Sequence, residues 1–126
     1  MITHNLGYPR IGDNRELKKA VEGYWSERIS YEQLIEISSA IKQKNWLMQK
    51  ELGIDLIPSN DFSLYDHVLD LAFALSAIPD RYSQLLRNSD KLKLDLYFAM
   101  ARGCQDGVAD ITAMEMTKWF DTNYHY

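Results

Sequence analysis

The chain has 126 residues, 46% hydrophobic and 25% charged, with a net charge of −4 and a single cysteine. That is enough apolar material for one domain with a real core, and too much for a disordered segment. The acidic balance gives no support to a general nucleic-acid binder, lone Cys104 forms no internal disulfide, and no apolar run reaches the ~18 residues of a membrane span.

The start, MITHNLGYPR, lacks the basic and apolar regions of a signal peptide, so the expectation is a soluble, cytoplasmic chain. Residues 1–6, with Ile2 and Leu6, predict a short strand. Gly7, Pro9 and Gly12 break the chain into a loop, after which Asp13 or Asn14 is placed to cap a helix. In RELKKAVEGYW the apolar residues Leu17, Ala20, Val21, Tyr24 and Trp25 recur at helical spacing, with the charges off that stripe. Ser30 opens a second helix with Gln33 as its capping-box partner. Leu34, Ile37, Ile41, Met48 and Leu52 are its predicted buried side, and Gly53 is its stop.

Ile54, Leu56 and Ile57 predict a second short apolar strand, ended by Pro58. Asn60, Asp61 or Ser63 then caps a third helix, LYDHVLDLAFALS, which is apolar on most sides and therefore predicted to be buried as far as Pro79. DRYSQLLRNSD is irregular or a short helix. LKLDLYFAMARG reads as a helix up to Gly103, although the alternation of Leu92, Leu94 and Leu96 also fits a strand. CQDGVADIT is a polar loop, and AMEMTKWF fits either helix or extended chain. Strands alternating with helices favour a parallel α/β architecture.

Three stretches are suited to ligands. Arg10, Arg15, Lys18 and Lys19 crowd the start of the first helix, with Arg15 and Lys18 three apart on one face. Cations are ordinarily better placed at the other end of a helix, where the dipole is negative. Here they would join free backbone N–H groups in facing an anion. The plain alternative is a solvated helix face. Ser59, Asn60 and Asp61 follow a strand directly, where α/β folds bind ligands, or else they only cap the next helix. In TKWFDTNYHY, Lys118, Asn123 and His125 alternate with aromatic rings, as a wall for a flat heterocycle or as a core strand. His4, His67 and His125 are too dispersed for a metal site, and His67 reads as a core histidine. Cys104 reads as an inert or lightly exposed thiol. No phosphate loop or nucleophile motif is present.

The blocks LGYPRIGDNRELKKAVEGYW, GIDLIPSNDFSLYDHVLD and AMEMTKWFDTNYHY resemble, in order, the N-terminal segment of the cobalamin-independent methionine synthases. The likeness runs from about residue 3 to 126. Those enzymes pair two (β/α)8 barrels and move a methyl group from 5-methyltetrahydropteroyltri-L-glutamate to homocysteine. A zinc ion held by His, Cys and Glu of the second barrel activates the thiolate. The resemblance therefore implies that residues 1–126 are an incomplete (β/α)8 barrel, helix-rich and holding about its first three β/α units. TNYHY would be interior strand, and the remaining C-terminal polypeptide would close the barrel. No catalytic residue and no metal ligand would lie in the segment. The motif RELK places Arg15 and Lys18 on the folate polyglutamate tail, with Lys118 and Asn123 as further contacts. An open sheet edge would favour self-association. The reading from another class is a stand-alone binding or structural module that kept only the start of the fold.

Overall fold

The computed structural model describes residues 1–85, 90–105 and 110–114. They fall into two compact units, Met1–Leu64 and a second from Tyr65 onward. The expectations for Lys118, Asn123, His125 and TNYHY lie outside the described residues.

In the first unit, helix α1 (Glu16–Trp25) packs on helix α2 (Tyr31–Glu51). The predicted α1 stripe points inward: Leu17, Ala20 and Val21 are buried, and Tyr24 and Trp25 half-buried. A fully buried leucine of this kind contributes about 1.5–3 kcal/mol. The α2 start forms as predicted. Ser30 Oγ accepts the Gln33 N–H at 3.3 Å, and Gln33 Oε1 accepts the Ser30 N–H at 2.7 Å. The buried side of α2 shares Leu34 and Ile41 with the predicted one and departs from it elsewhere. It runs Leu34, Ser38, Ile41, Asn45, Gln49, while Ile37 and Met48 are half-buried and Leu52 is 74% exposed. Three of its five positions are polar, so a search for apolar residues finds Leu34 and Ile41 and misses the other three.

The two predicted strands meet in one parallel bridge, His4 to Leu56. The Leu56 N–H donates to the Thr3 carbonyl at 3.0 Å, and the Thr3 amide and hydroxyl both donate to Asp55 Oδ2 at 2.8 Å. Leu56 is exposed rather than buried.

In the second unit, helix α3 (His67–Ala74) begins later than predicted. Its cap is Asp66, whose carboxylate accepts the Leu69 N–H at 2.9 Å, and none of Asn60, Asp61 and Ser63. The helix is not buried on all sides: Leu69 faces inward, while Val68, Leu71 and, just past the helix end, Leu75 are 55%, 60% and 71% exposed. His67 is exposed too, not a core residue. An apolar residue on every side carries no phase, so the sequence could not say which side would pack. Helix α4 (Asp90–Arg102) is the predicted helix up to Gly103 and buries Leu94 and every residue from Leu96 to Ala101. The strand alternative for Leu92–Leu96 is not taken. Tyr97 meets the Phe73 ring edge-on at 5.9 Å, and its hydroxyl donates to Asp70 Oδ1 at 2.6 Å.

Between α3 and α4, Asp80–Leu85 forms a 3₁₀ helix. Its Tyr82 is wholly buried and donates its hydroxyl to the Thr112 carbonyl at 2.7 Å. Gly103 ends α4 at φ +80°, and a Cβ there would lie 2.8 Å from the Ile111 carbonyl. That close approach lets the predicted polar loop pair instead. Strands β1 (Cys104–Gln105) and β2 (Asp110–Ile111) run antiparallel, Cys104 opposite Ile111. Cys104 is a half-buried free thiol. The described chain is thus helix-rich with a small sheet, an arrangement compatible with the α/β class. No helix among the described residues is long and apolar enough to cross a membrane.

Candidate anion-binding site

The site is built on the loop that leads into α1. Asn5 Oδ1 accepts the Gly7 N–H at 3.0 Å, closing a tight local turn. Gly7 has φ +123°, and a Cβ there would sit 2.5 Å from Asp61 Cβ. Asp61 Oδ2 accepts the Tyr8 N–H at 2.9 Å. The Pro9 carbonyl accepts from Asn45 Nδ2 at 3.4 Å, and Arg10 donates to the buried Ser63 carbonyl at 3.0 Å. Asp13 pairs with Lys44 of α2, and this carboxylate holds the Lys44 ammonium above its ordinary range.

Arg15 sits at the N-cap of α1 in the left-handed region, φ 60°, ψ 38°, and its side chain makes no cap. Neither predicted cap, Asp13 or Asn14, is used. Two of the expected free amides are taken: Arg15 N–H donates to the Gly12 carbonyl at 3.2 Å and Leu17 N–H to the Ile11 carbonyl at 3.1 Å. Glu16 Oε2 accepts the Asn14 N–H at 2.9 Å. The backbone amides of Glu16 itself and then of Asn14 hold its carboxyl below the usual carboxylate range. An anion at this helix start would therefore be met mainly by side chains. Arg15, Lys18 and Lys19 are all exposed there, and Lys18 makes a loose contact with Glu22 at 3.7 Å.

Sequence reading placed Arg15 and Lys18 at the helix start and took Asp61 for a loop ligand or a cap, but missed Asn5, Asn45 and Gln49. Asn5 Nδ2 donates to Gln49 Oε1 at 2.9 Å, and Gln49 Nε2 donates to the Asn45 carbonyl at 3.0 Å. The available signal was phase. Asn45 and Gln49 are four apart and continue the 34, 38, 41 spacing that faces α1. Among the described residues no group of three or more His, Cys, Asp or Glu is arranged to hold a metal ion.

Residues 2–126 match the family described as "Cobalamin-independent synthase, N-terminal domain". The chain belongs to this family. Among its curated relatives, the 5-methyltetrahydropteroyltriglutamate–homocysteine methyltransferase of Cytophaga hutchinsonii is 65% identical over 126 residues, which is 100% of this chain and 16% of the relative. The enzyme of the same description from Flavobacterium johnsoniae is 62% identical over 126 residues, again 100% of this chain and 16% of the relative. That from Saccharomyces cerevisiae is 51% identical over 127 residues, covering 96% and 16%. The chain thus spans about one sixth of the length of those relatives.

Proposed function

We propose that this chain is the N-terminal part of a methyltransferase that moves the N5 methyl group of 5-methyltetrahydropteroyltri-L-glutamate to the sulfur of homocysteine, giving methionine. The carrying observation is identity of 51–65% across nearly the whole chain to relatives named for that reaction. The role of this segment is to bind the polyglutamate tail. Exposed Arg15 and Lys18 on a firmly held helix start support that role, since a triglutamate is a string of carboxylates. Lys118 and Asn123 are further proposed contacts. The finer fold reading is about the first three β/α units of an incomplete (β/α)8 barrel. The parallel His4–Leu56 bridge, with two helices between its partners, supports it. The described residues offer no donor set for the zinc that the family resemblance implies, and that resemblance puts its His, Cys and Glu ligands in the second barrel. Cytoplasmic location and self-association through an open edge complete the reading.

Calorimetric titration with methyltetrahydrofolate triglutamate and monoglutamate tests it. The triglutamate binds more tightly, and Lys18→Ala weakens it about fivefold, as a screened ion pair of ~1 kcal/mol would. Equal triglutamate affinity in the two proteins overturns the tail-binding role. Mixing the chain with the remaining polypeptide and assaying methionine separates a segment of an enzyme from a stand-alone module.

A further inference from the structure

The buried face of α2 carries carboxamides where a helix core ordinarily carries leucine. Asn45 and Gln49 are 7% and 2% exposed. Burying an amide gains little over an apolar residue of the same shape, and a bonded pair can be replaced at little cost when both partners become apolar. What distinguishes these two is where their bonds go. Gln49 Oε1 takes the Asn5 side-chain N–H at 2.9 Å, and Asn45 Nδ2 reaches the Pro9 carbonyl at 3.4 Å. Gln49 Nε2 donates to the Asn45 carbonyl at 3.0 Å, which fixes the carboxamide plane so that its oxygen faces Asn5. Asn5 then passes the constraint on, accepting the Gly7 N–H at 3.0 Å. The Asp61 bond to Tyr8 and the Arg10 bond to Ser63 hold the next positions. Every fixed point lies just upstream of the turn that delivers Arg15 in a left-handed conformation.

We infer that Gln49, with Asn45 and Asn5, forms a positioning relay that orders the loop entering α1 and thereby presets Arg15 and Lys18 for a ligand carrying several carboxylates. This rests on the tail-binding reading and names the residues that give it selectivity. None of the three touches ligand. They act by removing the ordering cost that a slack loop imposes when it binds. A monoglutamate tail ends in two carboxylates close together and a triglutamate carries four along a longer chain, so the longer tail gains more from two preset cations.

The test uses the intact protein with two variants, Gln49→Met, which keeps volume and loses both hydrogen bonds, and Asn5→Ala at the outer end of the relay. Affinities for methyltetrahydrofolate triglutamate and monoglutamate are measured beside thermal unfolding. Each variant is expected to weaken triglutamate about fivefold, the effect of one or two newly mobile side chains, and to leave monoglutamate within twofold. Triglutamate affinity unchanged in a folded variant overturns the relay, and so does an equal loss for both ligands. Where Gln49→Met does not fold, Asn5→Ala decides, because Asn5 is only half-buried. Lys18→Ala in parallel separates the two readings. If it weakens triglutamate while Asn5→Ala does not, the relay alone falls. If the unmodified protein does not distinguish the ligands, tail binding falls and the relay with it.

Discussion

The Glu16 carboxylate accepts the Asn14 amide at 2.9 Å, so the first turn of α1 holds an anion of its own before any ligand arrives. Amides of Glu16 and Asn14 stabilise its ionised form and lower its pKa below the ordinary 4.5. A depressed carboxyl contributes stability that is complete above the unfolded value and is lost as pH falls through the folded one. Unfolding curves of the unmodified chain and Glu16→Gln should therefore differ by a constant amount above pH 4.5 and converge below it. A difference that grows on acidification would contradict the assignment.

The same carboxylate shares the helix start with Arg15 and Lys18. Glu16→Gln removes a negative charge beside them and should tighten triglutamate binding roughly two- to fivefold at low salt. The gain should vanish near ~1 M salt, where the screening length is ~3 Å. Titration at two ionic strengths checks both parts.

Arg15 occupies φ 60°, where a residue with a Cβ is roughly 1–2 kcal/mol worse off than glycine. Arg15→Gly should unfold at the same temperature or slightly higher, while triglutamate affinity falls several-fold. A protein that gains stability and loses binding would show that the arginine is kept for its charge. Unchanged affinity would remove it from the site.

Gly7 is the opposite case. Gly7→Ala places a Cβ 2.5 Å from Asp61 Cβ in a conformation that alanine disfavours. The expected cost is about 1–3 kcal/mol, read by denaturant unfolding. Amide exchange should rise at Tyr8, whose N–H bond to Asp61 would be displaced.

In the second unit, Tyr82→Phe keeps the buried ring and removes the hydroxyl donated to the Thr112 carbonyl. A loss of about 1 kcal/mol is expected, with faster amide exchange along 110–114. Triglutamate affinity should not change. A loss of binding would tie this unit to the site.

What could be read from the sequence was what depends on neighbours in the chain. Ser30 and Gln33 meet because a capping box needs only three residues of spacing, and Leu17, Ala20 and Val21 share a side because α1 is regular. Arg15 and Lys18 were found at the helix start for the same reason. The occupied amides beside them were not, since Ile11, Gly12 and Glu16 take those donors only once the loop has its path. The polar side of α2 was missed because Asn45 and Gln49 look solvent-facing until Asn5 and Pro9 arrive from a distant segment. Asp66 was passed over as a cap because the start of α3 could not be phased. The two-residue strands β1 and β2 are too short to show any alternation.

The amides at the heart of α2 also bear on anyone engineering this chain. A protocol that scores interiors by oiliness would swap Ser38, Asn45 and Gln49 for aliphatic residues and count the exchange as a gain. The same edit would cut the tether at Asn5 and leave the chain's entry into its first helix to wander.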